Sequence, residues 1–148
     1  MTFSWIGMQS MNKQLKQQIQ DFLPFNSPEG AWRRIETLES ENIQIVIAMK
    51  QLADDFRNEV AEPREIYLSV QEVRSLTVYI RWRKKGVKGQ QSYLVINSIE
   101  GSHFMLRQPP ESQKLYLKFN QCALDLNLAH SLRLNGIRRL RQYLRDVQ

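Results

Sequence analysis

YIRWRKKGVKGQQSYLVI, residues 79–96, is the stretch on which the fold of this chain turns. Apolar and polar residues alternate from Tyr79 to Arg83, give way to lysines and glycines, and alternate again from Tyr93 to Ile96. A period of two sends successive side chains to opposite faces of a strand. Ile80, Trp82, Leu94 and Ile96 therefore point inward, and Tyr79, Arg81, Arg83, Tyr93 and Val95 point outward. Lys84–Gln90 is the turn between the strands, where Gly86 and Gly89 relax the backbone. Upstream, Ile66, Leu68 and Val70 alternate with Tyr67 and Ser69, while Leu76 and Val78 head the inward set of the second strand. His103–Arg107 reads as a short fourth strand after a turn at Glu100-Gly101-Ser102. Residues 63–108 thus make an antiparallel meander of three or four strands.

Helical periods flank this centre. Met8, Met11, Leu15, Ile19 and Phe22 form an amphipathic first helix that Pro24 stops. Ser27-Pro28-Glu29 starts a second, with Ser27 as the cap and Pro28 in the first turn. It runs unbroken to about Val60 and is the longest element. Leu38, Asn42, Ile45 and Met49 lie on its heptad seam, and Ile43, Val46, Ile47 and Ala53 widen the apolar face beyond a two-stranded coil. A core helix fits this width; a homodimer or partner-docking coiled coil along the same seam is the alternative. After Pro109-Pro110, Glu111–Leu134 and Ile137–Val147 are helical in period, with Asn135-Gly136 as the break. The fold class is a single α+β domain: a helical hairpin over 1–62, the sheet over 63–108 and two helices over 109–148.

A length of 148 residues suits one domain, and 42% hydrophobic content excludes wholesale disorder. Cys122 is the sole cysteine, so no internal disulfide forms, and its apolar neighbours Phe119, Ala123 and Leu126 predict burial. A reducing, cytoplasmic setting is expected. No run nears the ~20 apolar residues of a membrane span, and the first residues lack the basic start of a signal peptide. His103 and His130 stand apart from other ligand types, so neither metal nor cofactor is expected. Neither a phosphate loop nor a nucleophile elbow is present, which argues against an enzyme.

The charge pattern supplies the functional lead. The net charge is +6, yet no Asp or Glu occurs from Val73 to Ile99, where Arg81, Arg83, Lys84, Lys85 and Lys88 gather. Residues 29–62, by contrast, are rich in Glu and Asp. Phosphates respond to a local cluster of cations, so this segregation points to nucleic acid as partner, DNA first. Arginine pairs with phosphate in two-pronged fashion, while Tyr79 and Tyr93 offer rings to exposed bases; a two-stranded ribbon also fits the major groove. Arg138, Arg141 and Arg145 share a helical face and form a second contact row. LAHSLRLNGIRRL, 128–140, has some features of a helix-turn-helix, which requires a tight turn between two helices.

YIRWRKKG (79–86), the return strand SYLVI (92–96) and the basic helical tail resemble small accessory proteins of bacterial integrative and conjugative elements. The resemblance spans roughly the second half of the chain. It implies a part in transfer, excision or regulation of mobile DNA and carries over no active-site residue.

Overall fold

The computed structural model describes residues 5–74 and 76–148. Its helices are α1 (Trp5–Asp21), α2 (Pro28–Glu59), α3 (Ile99–Leu106) and α4 (Pro110–Asp146). The strands β1 (Ile66–Glu72), β2 (Val78–Lys84) and β3 (Tyr93–Leu94) form one antiparallel sheet in the order β1-β2-β3. The α+β class and the flanking helices agree with the sequence reading.

The long second helix begins as its residues require. Ser27 caps it by accepting the Gly30 N–H at 3.2 Å, and Pro28 occupies the first turn. Its seam turns inward within the same chain: Leu38, Asn42 and Met49 are buried and Ile45 half-buried. The partner is α4, which runs antiparallel to it, as the pairs Glu39–Arg141, Glu41–Arg133 and Glu59–Lys118 show. The seam thus packs into the chain's own core.

The expected helical hairpin over 1–62 is corrected. From residue 12 to Asp21, α1 is exposed along its length, with Leu15 and Ile19 in solvent, so α2 takes its cover from α4 instead. The side chains of Met8 and Met11 lie outside the described residues.

The main core is a sandwich of sheet and helices. Ile66, Leu68, Val78, Ile80, Trp82, Leu94 and Ile96 pack on Met49, Ala53 and Phe56 of α2, Phe104 of α3, and Tyr116, Phe119 and Ala123 of α4. Phe56 meets Trp82 edge-on at 5.0 Å and Phe119 at 5.4 Å, which knits α2, β2 and α4 together. A smaller cluster joins Ala31, Ile35 and Leu38 to Ile137 and Leu144.

Several expectations fail locally, each for a visible reason. His103–Arg107 falls on α3 and its end, not on a fourth strand. Ser98 caps that helix through the Gly101 N–H at 3.0 Å, and Gly101 is needed for contact, because a Cβ there would lie 2.2 Å from the Ile96 carbonyl oxygen. Asn135-Gly136 does not break α4. Leu38 of α2 seats against Gly136, and burial of Leu134, Ile137 and Leu144 outweighs the roughly 1 kcal/mol cost of a mid-helix glycine. A continuous helix also removes the helix-turn-helix. Cys122 is exposed, since it falls about 100° around the helix from Ala123, off the core face. Leu76 is exposed in the left-handed region at φ 68°, which makes it a turn residue between β1 and β2.

β3 covers little of β2, pairing only Trp82 with Leu94 and Arg83 with Tyr93. Side chains of α4 complete the remaining edge. Asn127 accepts the Ile80 N–H at 2.9 Å and donates to the Ile80 carbonyl at 2.9 Å, as a neighbouring strand would. His130 Nε2 accepts the Val78 N–H at 3.1 Å, and Asn120 accepts from the Trp82 indole at 3.0 Å.

That use of His130 requires the neutral ring. Burial pushes its pKa below the ordinary 6.5, with a smaller opposing pull from the Leu76 carbonyl. A depressed folded-state value stabilises the fold above pH 6.5 and withdraws that contribution as the pH falls through it. Urea titrations are expected to show stability dropping below pH 6.5, at no more than about 1.4 kcal/mol per pH unit for one proton. In His130→Gln, which keeps an acceptor but does not titrate, this component is expected to vanish.

Candidate nucleic-acid interface

Because the helices cover one face of the sheet, the other faces solvent. Strand alternation puts Tyr67, Ser69 and Gln71 of β1, Tyr79, Arg81 and Arg83 of β2, and Tyr93 of β3 on it. Cross-strand register sets Tyr67 opposite Arg83 and Arg83 opposite Tyr93, so one row reads Tyr-Arg-Tyr across the sheet. Ser69 pairs with Arg81, and Gln71 with Tyr79. Tyr79 is the most open ring of the three, at 38% exposure, and none of the positions on this face carries an acid.

Arg81 organises the face. Its guanidinium lies 3.8 Å from the Tyr93 ring centre and 5.5 Å from that of Tyr79. Gln71 Oε1 accepts a hydrogen bond from Arg81 Nη2 at 2.6 Å and another from the Tyr93 hydroxyl. Arg81 is thus held against the tyrosines, with its Nε buried and without a hydrogen-bond partner among the described residues. Arg83 sits more loosely, 5.8 Å from Tyr93.

The expected turn holds the remaining hairpin cations. Beyond β2, Lys85, Val87 and Lys88 are exposed, and Gly86 and Gly89 take positive φ of 79° and 80°, which favours glycine. A short 3-10 turn, Gln90–Ser92, then leads into β3. With only two cross-strand pairs, β2 and β3 do not project as a ribbon. The expected major-groove fit is therefore not supported by the hairpin's shape.

Pairing separates the cations. Among the described residues, Arg81, Arg83, Lys85 and Lys88 form no ion pair, whereas Lys84 is bridged to Glu100 of α3. On α4, Arg138, Arg141 and Arg145 are all exposed, but Arg141 bonds Glu39 at 2.7 Å and Arg145 bonds Gln142 at 2.7 Å. Arg138 approaches Thr77 Oγ1 at 3.5 Å, just before β2 begins. Arg138 and the hairpin tip therefore sit at opposite ends of β2, roughly 20 Å apart at ~3.3 Å per residue. The sequence reading does not single out Tyr67, although the alternation that turns Tyr79 outward applies to it equally.

Elsewhere, a cleft of about 530 Å³ lies between α3 and the β1–β2 end, with Arg64, Lys84, Lys85 and Arg107 on its rim. Most of its charge is spent internally: Arg107 bonds Glu65 at 3.3 Å, and Arg64 bonds the Val60 carbonyl at 2.6 Å. Among the described residues no trio of His, Cys, Asp or Glu gathers as a metal site, and no helix is long and apolar enough to cross a membrane. Compared with family models, curated proteins and solved structures, the chain matches none.

The exposed tip and the braced shelf should respond differently to charge removal. Arg81→Met is expected to cost about 1 kcal/mol through the lost cation–ring contacts, and Lys88→Met less than about 0.5 kcal/mol. Urea midpoints at unchanged slope check both values.

Proposed function

We propose that this is a non-enzymatic nucleic-acid-binding accessory protein that grips phosphates through its basic hairpin. Arg83, Lys85 and Lys88 are the principal contacts, with Arg81 and Lys84 adding to the local field. Arg138 extends the footprint along β2, and Arg141 and Arg145 join it where phosphates outcompete their present partners.

One observation carries this reading: the outer sheet face and hairpin tip are free of acids, and their arginines and lysines lack carboxylate partners among the described residues, Lys84 apart. Elsewhere in the chain cations are commonly paired, as in Arg33–Glu29, Arg64–Glu62 and Arg133–Glu41. Unneutralised cations on one exposed surface raise the local concentration of a polyanion, and each phosphate contact releases condensed counterions. DNA is the partner we infer, and the resemblance to accessory proteins of integrative and conjugative elements suggests work on mobile DNA. A homodimer along α2 has less behind it, because Leu38, Asn42 and Met49 are buried against the chain's own core.

The test is the salt dependence of DNA affinity. Relative to wild type, Arg83→Gln/Lys85→Gln/Lys88→Gln is expected to bind DNA more weakly. Its plot of log affinity against log salt should be flatter by roughly 2–3, at ~0.7–0.9 per phosphate contact. Lys84 stays intact so that Glu100 keeps its partner. Equal affinity and slope in a folded triple variant would remove the hairpin from the account.

A further inference from the structure

We infer that the nucleic acid this surface takes is single-stranded, with unpaired bases stacked on the tyrosine–arginine shelf of the open sheet face. This rests on the phosphate-binding reading above and adds the form of the ligand.

Reading a duplex through its major groove takes a helix or a protruding two-stranded ribbon. Here β2 and β3 share two cross-strand pairs within the sheet plane. α4 runs through 128–140 without a turn, and Arg141 of its basic row is tied to Glu39. The cations nearest the rings, Arg81 and Arg83, lie on the face of the sheet formed by β1, β2 and β3.

What the surface does have suits bases that are already free. Tyr79 and Tyr93 lie on adjacent strands, and the Arg81 guanidinium is 5.5 Å and 3.8 Å from their ring centres. Rings and guanidinium planes are the groups on which unstacked bases rest, and such stacking tolerates any base. Gln71 fixes the shelf by bonding both Arg81 and Tyr93, so little side-chain freedom is lost when a base lands on it. Tyr67 extends the row beyond Arg83. Lys85 and Lys88 stand just past the end of β2, where the sugar-phosphate chain of a strand lying along β2 would pass.

The experiment compares affinities of the full chain for labelled single-stranded DNA, single-stranded RNA and duplex DNA of about 20 residues at fixed salt. Single strands are expected to bind at least tenfold more tightly than the duplex. Tyr79→Leu and Tyr93→Leu should each weaken single-strand binding roughly five- to a hundredfold, the range for losing one stacked base. Tyr79→Phe, which keeps the ring, should retain it, and Tyr93→Phe, which keeps the ring but loses the bond to Gln71, should weaken binding less than Tyr93→Leu. Should Tyr93→Leu prove unfolded by circular dichroism, the more exposed Tyr79 pair decides the matter. The DNA and RNA arms show which single strand is preferred, and preference for either supports the inference. Duplex binding as tight as single-strand binding, or leucine variants that bind single strands like wild type, would overturn it while the phosphate-binding reading stands. No binding to any of the three would overturn both.

Discussion

Phe56 packed edge-on against Trp82 is the contact on which the rest of the structure depends. It fixes which face of β2 is inside, and a strand with a period of two has no further choice to make. Once Val78, Ile80 and Trp82 are buried beneath α2 and α4, Tyr79, Arg81 and Arg83 must point to solvent. The surface chemistry is thus a consequence of core packing. Shifting β2 by one residue would bury two arginines and expose Trp82, at a cost no hairpin tip could offset.

A three-stranded sheet of this size leaves β2 poorly covered by β3, and α4 supplies the missing neighbour. Asn127 meets both backbone groups of Ile80, His130 takes the Val78 N–H, and Asn120 takes the Trp82 indole. These bonds consume the edge that would otherwise template pairing with another chain. They also tie α4 to the strand that carries Tyr79, Arg81 and Arg83.

Much of this was legible in the sequence, and the limits of that reading are physical. Alternation in 79–83 and 93–96 set the inward and outward residues correctly, because one-sided burial imposes that pattern, although β3 itself ends at Leu94 and Ile96 is buried from the turn after it. The cap and proline at Ser27-Pro28 placed the start of α2. Gly101 and Gly136 were misread as turns. Both are places where another backbone or side chain approaches closely, and a single sequence does not distinguish that use of glycine from conformational freedom. The α2 seam was recognised, but its partner was not: period shows that a face is apolar, not which element covers it. At the surface, the acid-free segment was visible as composition. The stack of Arg81 on Tyr93, the brace from Gln71 and the pairing of Lys84 and Arg141 depend on register and on distant elements.

The central claim is that the open sheet face and the tip beside it form one continuous contact surface. Titrating the isotope-labelled protein with oligothymidylate while following its amide and side-chain resonances tests that claim most directly. Shifts are predicted at Tyr79, Arg81, Arg83 and Tyr93 together with Lys85 and Lys88, while Leu124 and Leu128 on the outward side of α4 stay silent. Shifts confined to α4 or to the cleft beside α3, with the sheet face unmoved, would contradict the account.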